Sequence, residues 1–209
     1  MKKRFSQTVI LFLVLLFSTF GLKAADWRFP IHLNYVSGLN EVFDLYKNNM
    51  EQEGYTVISE FVMPVGISFN PYLQFDSGFR IGGGLGPIFL VLIEENGYFA
   101  LPLNINSGYT LFPNGPFSPY IKGGLSYHLA GGAYYHSSTP GLYAAAGVVL
   151  MNNRKVNFGF EVSMDLSKVK FENGEIDYYD PYTGYPMSYG SRYKSLQPGK
   201  LVIGLFVQF

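Results

Sequence analysis

Few residues in this sequence have the type and spacing for covalent chemistry. His136 and Ser138 stand two positions apart. At that spacing an imidazole could take the hydroxyl proton and send the oxygen at a lipid ester beside a membrane. The pair also needs a third group to orient the ring. Thr139 follows the serine, and the nearest downstream acid is Glu161, on a different element. His136 and Ser138 therefore read as a polar loop tip, and no catalytic residue is assigned. His32 and His128 share a phase with several carboxylates, but a metal needs several ligands converging on one point, and spacing alone does not supply that. No metal or cofactor site is expected, and the absence of cysteine removes thiolate chemistry altogether. Gly82-Gly83-Gly84 lacks the Gly-Lys-Ser ending and following helix of a phosphate loop. What remains is a set of charges of both signs: Glu60, Asp76, Arg80, Lys122, His128, Glu161 and Asp165. Their expected chemistry is mutual pairing, with the rearrangement of a pair as the alternative that would open a passage.

The elements that must carry these charges repeat with a period of two, the signature of strands. Phe61, Met63, Val65, Ile67 and Phe69 alternate with Glu60, Gly66 and Ser68. After a tight turn expected at Asn70-Pro71, Leu73, Phe75, Phe79 and Ile81 oppose Gln74, Asp76, Gly78, Arg80, Gly82 and Gly84. Phe99 to Ile105, Ile121 to Leu129, Leu142 to Leu150 and Val156 to Leu166 continue the pattern. With Phe29 to Tyr35 at the start and Leu201 to Phe209 at the end, the segments number about eight. In the interior segments the bulky face is free of charge, and the charges fall among glycines and short polar side chains. A soluble sandwich would put abundant Lys and Glu on its second face. An apolar outer face with a sparse polar inner face fits an all-β, closed, antiparallel, eight-stranded transmembrane β-barrel, which leaves no unpaired backbone edge in lipid. Eight strands enclose room for side chains and no wide pore, so the inward charges must pair. Pro64, Pro87 and Pro102 lie inside these segments, and bulges or bends are expected there.

Composition agrees with this. The chain has 209 residues and a formal charge of zero, with 14 % charged and 18 % aromatic residues. That is too few charges for an ordinary soluble surface and far too apolar for disorder. Lys2-Lys3-Arg4, the apolar run from Val9 to Phe20 and the small residues near Ala24 form the three parts of an export signal. Residues 1–24 are expected to be removed, leaving a barrel over 25–209, with a retained anchor as the alternative. Past residue 24 there are 11 basic and 15 acidic residues, a net of −4. A basic nucleic-acid footprint is excluded.

Two long connections, 38–54 and 171–197, fall on one side if both chain ends are periplasmic, as in outer-membrane barrels. In the first, Leu39, Val42, Phe43, Tyr46 and Met50 recur at helical spacing. This helix would lie on the outer leaflet, cap the barrel mouth or simply pack the loop. The second is rich in tyrosine. Tyr178, Tyr179, Tyr182 and Tyr185 suit surface recognition or a rim among lipid headgroups. Lys168, Lys170, Arg192 and Lys194 flank it, placed to pair with lipopolysaccharide phosphates or to solvate extended strands.

The terminal strand carries a resemblance. Leu201, Ile203, Leu205, Val207 and Phe209 occupy every second position up to the final residue. In this, and in its eight-strand pattern, the chain resembles the small outer-membrane barrels of the OmpA, OmpX and OmpW types. The resemblance implies residence in the cell outer membrane as a monomer among lipid and lipopolysaccharide. It also implies that Leu205, Val207 and Phe209 are read by the barrel-assembly machinery. It implies a non-catalytic role in envelope integrity, surface contact or adhesion. The OmpW-type likeness implies instead a narrow conduit for small or apolar solutes. A fainter likeness joins His136 and Ser138 to the lipid A deacylases, but those carry His-x-Ser-Asn and a later glutamate, where this chain has Thr139 and Leu150.

Overall fold

The computed structural model describes residues 25–57, 60–152, 154–179 and 186–209; the expected export segment, Tyr182 and Tyr185 lie outside them. The strands are β1 (Ala25–Arg28), β2 (Pro30–Val36), β3 (Glu60–Met63), β4 (Val65–Phe69), β5 (Tyr72–Phe75), β6 (Phe79–Leu85), β7 (Phe89–Ile93) and β8 (Asn96–Thr110). They continue as β9 (Phe117–Gly132), β10 (Tyr135–Thr139), β11 (Gly141–Leu150), β12 (Asn157–Asp165), β13 (Lys168–Tyr179), β14 (Pro186–Leu196) and β15 (Val202–Gln208). One helix, α1 (Leu39–Gln52), follows β2. Successive strands continue one another as eight staves: β1–β2, β3–β4–β5, β6–β7, β8, β9, β10–β11, β12–β13 and β14–β15.

The staves close into a barrel. The last meets the first through Val207↔Ile31, Leu205↔Leu33 and Ile203↔Tyr35, and the Phe29 amide donates to the Phe209 carbonyl at 3.1 Å. Following paired residues once around the wall leads from Asp26 through Gln74, Arg80, Gly108, Lys122, Ala145, Ser163 and Val202 to Val36, ten positions further along the first stave. Such a stagger tilts the strands and sets a bore that side chains fill. The two faces separate as their alternation requires. Ile67, Ile105, Ile121, Leu125, Leu142 and Leu205 are exposed on the outside, whereas His32, Arg80, Lys122, His128, Glu161 and Asp165 are buried within.

The proline sites behave as local breaks. Pro64 separates β3 from β4, and Gly86-Pro87 separates β6 from β7. Pairing shifts by one residue between Met63↔Leu90 and Phe69↔Leu85, and again between Leu85↔Leu103 and Phe89↔Ala100, so each break is absorbed as a bulge. Pro102 stays inside β8, where its carbonyl accepts the Gly86 amide at 2.8 Å.

Three connections differ from the expected ones. Asn70-Pro71 is no turn between strands: Ile31↔Phe69 and Arg28↔Tyr72 keep one register across it, so it only bends the second stave. The turn comes at Asp76-Ser77-Gly78, where Gly78 takes φ +91 and donates to the Phe75 carbonyl at 2.9 Å. Asx and glycine chemistry supplies that turn. The 171–197 excursion is mostly hairpin, with β13 and β14 paired from Val169↔Leu196 up to Tyr179↔Pro186. The stretch before Pro140, expected as a loop, is β10, which pairs with β13. Together β10, β13 and β14 form a three-stranded tongue beyond the barrel, at the end opposite the chain termini.

Candidate functional site

The interior is built in two polar layers beneath an apolar plug. The layer nearer the chain termini centres on Glu161 of β12. Lys122 Nζ donates to its Oε2 at 2.8 Å, Tyr120 Oη to the same oxygen at 2.5 Å and Tyr143 Oη to Oε1 at 3.1 Å. Gly147 leaves the space that Tyr120 occupies, since a Cβ there would meet the phenol at 2.6 Å. The Arg80 guanidinium lies between two rings, 3.7 Å from the centroid of Tyr72 and 4.3 Å from that of Tyr120. Such stacking favours a desolvated cation. Tyr72 donates in turn to Gln208 Oε1 at 2.6 Å, and His32 packs on the Phe206 ring at 4.7 Å.

The second layer centres on Asp165. His128 Nε2 lies 2.9 Å from Oδ2, while Ser126 Oγ, the Ser167 amide and Ser167 Oγ all donate to Oδ1. The order of these groups matters. In an activated serine the imidazole stands between hydroxyl and carboxylate; here the carboxylate stands between imidazole and hydroxyls. Asp165 thus holds Ser126 and His128 apart as a structural acceptor and makes no nucleophile. His136 and Ser138 do not form a pair either. The His136 ring packs 4.5 Å from the Tyr193 ring, and Ser138 Oγ lies 3.3 Å from Tyr135 Oη. Among the described residues no three His, Asp or Glu side chains gather as a metal site.

Amides fill the bore between and around the charges. Asn34 and Asn70 both donate to Ser68 Oγ, at 2.9 and 3.1 Å, and Asn106 donates to Asn104 at 2.6 Å. A cavity of about 30 Å3 remains among Asn34, Asn104, Glu161 and Asp165, and it reaches Gly86, Pro87 and Pro102 at the wall. That is room for one or two waters.

Above these layers α1 closes the mouth. Leu39, Val42, Leu45, Tyr46 and Met50 are buried against Val91, Ile93, Tyr98, Phe171 and Leu196, an apolar cluster shared by helix, barrel and tongue. Burial of this kind contributes roughly 1.5–3 kcal/mol per large side chain. The helix ends in a Schellman turn, with Gly54 N donating to Glu51 O and Tyr55 N to Met50 O. Asn49 Nδ2 donates to the Glu172 carbonyl at 2.7 Å, which ties the helix to the tongue. Burial pushes the Tyr46 phenol up to about 12, against the pull of the Tyr134 amide that donates to it. Tyr134 is raised as well, by burial and then by its hydrogen bond to Glu53.

Of the charges expected in the lumen, Arg80, Lys122, His128, Glu161 and Asp165 lie there, divided between the two layers. Asp76 does not: it sits exposed in the turn between β5 and β6, because the alternation that put it in phase with Arg80 stops at that turn. Glu60 opens β3, opposite Ile93 at the far end of its stave; its side chain lies outside what is described, as do those of Tyr178 and Tyr179. Leu205 and Phe209 face outward and Val207 is partly covered. Sequence reasoning missed the three tyrosines of the inner layer. The signal was present, since Tyr120 stands two residues before Lys122 and so shares its face.

No helix among the described residues is long and apolar enough to cross a membrane. The crossing is made by strands, and the exposed leucines, isoleucines and phenylalanines belt the wall. No protein-family model matches the chain, and no curated protein matches it by sequence. Solved structures similar to it include the following two. The outer membrane protein OprG from Pseudomonas aeruginosa superposes with a TM-score of 0.50 at 12 % identity, over 90 % of this chain and 96 % of that one. Neisserial surface protein A (NspA) gives 0.41 at 10 % identity, over 89 % and 98 % of the two chains. The chain folds as a small eight-stranded outer-membrane barrel. In such a barrel the described termini mark one rim, and α1 with the tongue mark the other.

Proposed function

We propose that the barrel is non-catalytic and closed to solutes, and that it acts in envelope integrity or surface contact through α1 and the tongue. The observation that carries this reading is the filled bore. Glu161 receives three donors and Asp165 four contacts, the cavity among them is about 30 Å3, and α1 is packed over the mouth. A side-chain network of this kind stiffens the wall and leaves the surface to do the work. The assembly machinery is its partner during insertion, through Leu205, Val207 and Phe209, and it stands as a monomer among outer-membrane lipids. Planar-bilayer recording tests the closure. No steady current is expected, and a reproducible single-channel current from the intact chain would overturn it.

A second reading, a narrow passage for small or apolar solutes, is favoured by one feature. The pairing of the second and third staves thins to Phe69↔Leu85 between the bulge after Met63 and the bend at Asn70-Pro71, and the cavity touches the wall at that place through Gly86 and Pro87. Swelling of proteoliposomes in small solutes separates the two readings: uptake above that of protein-free vesicles supports the passage, and none supports closure.

A further inference from the structure

We infer that the outward face of the tongue binds the phosphate groups of membrane lipid headgroups. This rests on reading the chain as an outer-membrane barrel whose termini lie on the inner side. Met164, Leu166, Lys168 and Lys170 occupy alternate positions, and so one face, at the junction of β12 and β13. Met164 and Leu166 are exposed apolar residues of the lipid-facing belt. At roughly 3.3 Å per residue, the two lysines come about 7 and 13 Å further along the strand line, where hydrocarbon gives way to headgroups.

Neighbouring strands complete the patch. Lys170 pairs with Ser137 of β10 on one side and Ser195 of β14 on the other, so hydroxyls flank the ammonium group on the same face. Lys170 Nζ stands 4.3 Å from the centroid of the Tyr193 ring, against which His136 packs. Glu172 follows Lys170 on the strand and marks the patch's far limit from the membrane. Cations, hydroxyls and a phenol on one three-stranded surface match the acceptor oxygens of a phosphate monoester. Other elements of the same rim carry mainly the other sign, with Lys47 of α1 the exception. Glu41, Asp44, Glu51 and Glu53 lie on or just after α1, and Glu94 and Glu95 form the β7–β8 turn. His136, which has no catalytic partner, acts here by holding the Tyr193 ring beside Lys170.

Native mass spectrometry of the full mature chain released from detergent, after equilibration with lipid A, tests this. With bisphosphorylated lipid A, retained adducts are expected. With lipid A stripped of both phosphates they should fall about tenfold, as they should for the Lys168→Gln/Lys170→Gln variant with the phosphorylated lipid, at an expected contribution of a few-fold per lysine near a charged surface. Glu94→Gln/Glu95→Gln should retain lipid as the unaltered chain does. Inorganic phosphate alone should not displace the adduct; full displacement would show a site for free phosphate and defeat the assignment to lipid. Equal retention by the lysine variant, or equal retention of dephosphorylated lipid A, would overturn the proposal. Heat-dependent gel mobility of each variant shows that the barrel is intact. Loss of that mobility in the unaltered chain would instead strike at the barrel reading itself.

Discussion

The bore is obstructed twice, by different physics. In its middle, Glu161 and Asp165 gather hydrogen bonds whose value depends on direction and on each partner being present. At its mouth, α1 buries leucine, valine, methionine and tyrosine against the rim, where the stabilisation scales with area. A polar layer fails abruptly when one partner is lost, because the remaining charge stays buried. An apolar plug loosens by degrees, one side chain at a time. The division has a geometric cause. Inside the wall the backbone runs in the ladders, so side chains fill the bore. At the rim, a connection of some length was free to fold into a helix.

The largest effect expected on this comparison comes from Lys122→Met. It strands the Glu161 carboxylate in the bore and should cost about 3–5 kcal/mol, read as a lower urea midpoint for barrel unfolding in detergent. The double variant Lys122→Met/Glu161→Met should recover most of that loss; no recovery would mean that the pair's worth lies in its geometry with Tyr120 and Tyr143. Leu39→Ala should cost about 2–4 kcal/mol and should speed proteolysis within the 38–57 connection while the rest of the barrel stays protected. If the whole barrel became labile, the plug and the wall would be one cooperative unit. Tyr120→Phe removes a donor to Glu161 and should cost about 1–2 kcal/mol, with the Lys122 pair retained.

The smallest effect is on pH. Tyr46 titrates near 12 in the folded chain against an ordinary value of 10.0. The plug's stabilisation from this group is therefore fully present below pH 10 and declines as pH rises from there toward 12. Tyrosinate difference absorbance should show phenols titrating late, Tyr134 among them, and Tyr46→Phe should reduce that late absorbance change by one phenol. A Tyr46 that ionises with the exposed tyrosines would show that α1 does not stay seated.

Much of this arrangement was legible in the primary structure. The alternation of Phe158, Phe160, Val162 and Met164 with Asn157, Gly159, Glu161 and Ser163 is wrong for a helix and wrong for a soluble sheet, and the wall follows it residue by residue. The helical spacing of Leu39, Val42, Tyr46 and Met50 likewise marked α1, though not its seat. Elsewhere local signals misled. Asn70-Pro71 has turn chemistry but serves as a bend, because pairing with the first stave on both sides outweighs it. The 171–197 stretch is polar and tyrosine-rich, with no alternating burial to announce strands. Its pairing comes from extension of the ladders below. Asp76 kept the phase of Arg80 on paper and lost it at the turn.

By itself the sequence determined which side of each strand meets lipid, because side chains on a pleated strand alternate and apolar surface must be removed from water. It also determined that inward charges needed compensation, since an ion is costly in so narrow a space. Lys122, Glu161 and Asp165 find partners, whereas Arg80, expected to pair, lies between the Tyr72 and Tyr120 rings with no carboxylate beside it among the described residues. Only the tertiary structure decided which partners those were. The registers of β9, β11 and β12 bring Lys122 to Glu161 and His128 to Asp165, and packing on the rim seats α1 over the mouth. Register around a closed ring is a property of all eight staves together, and no single segment encodes it.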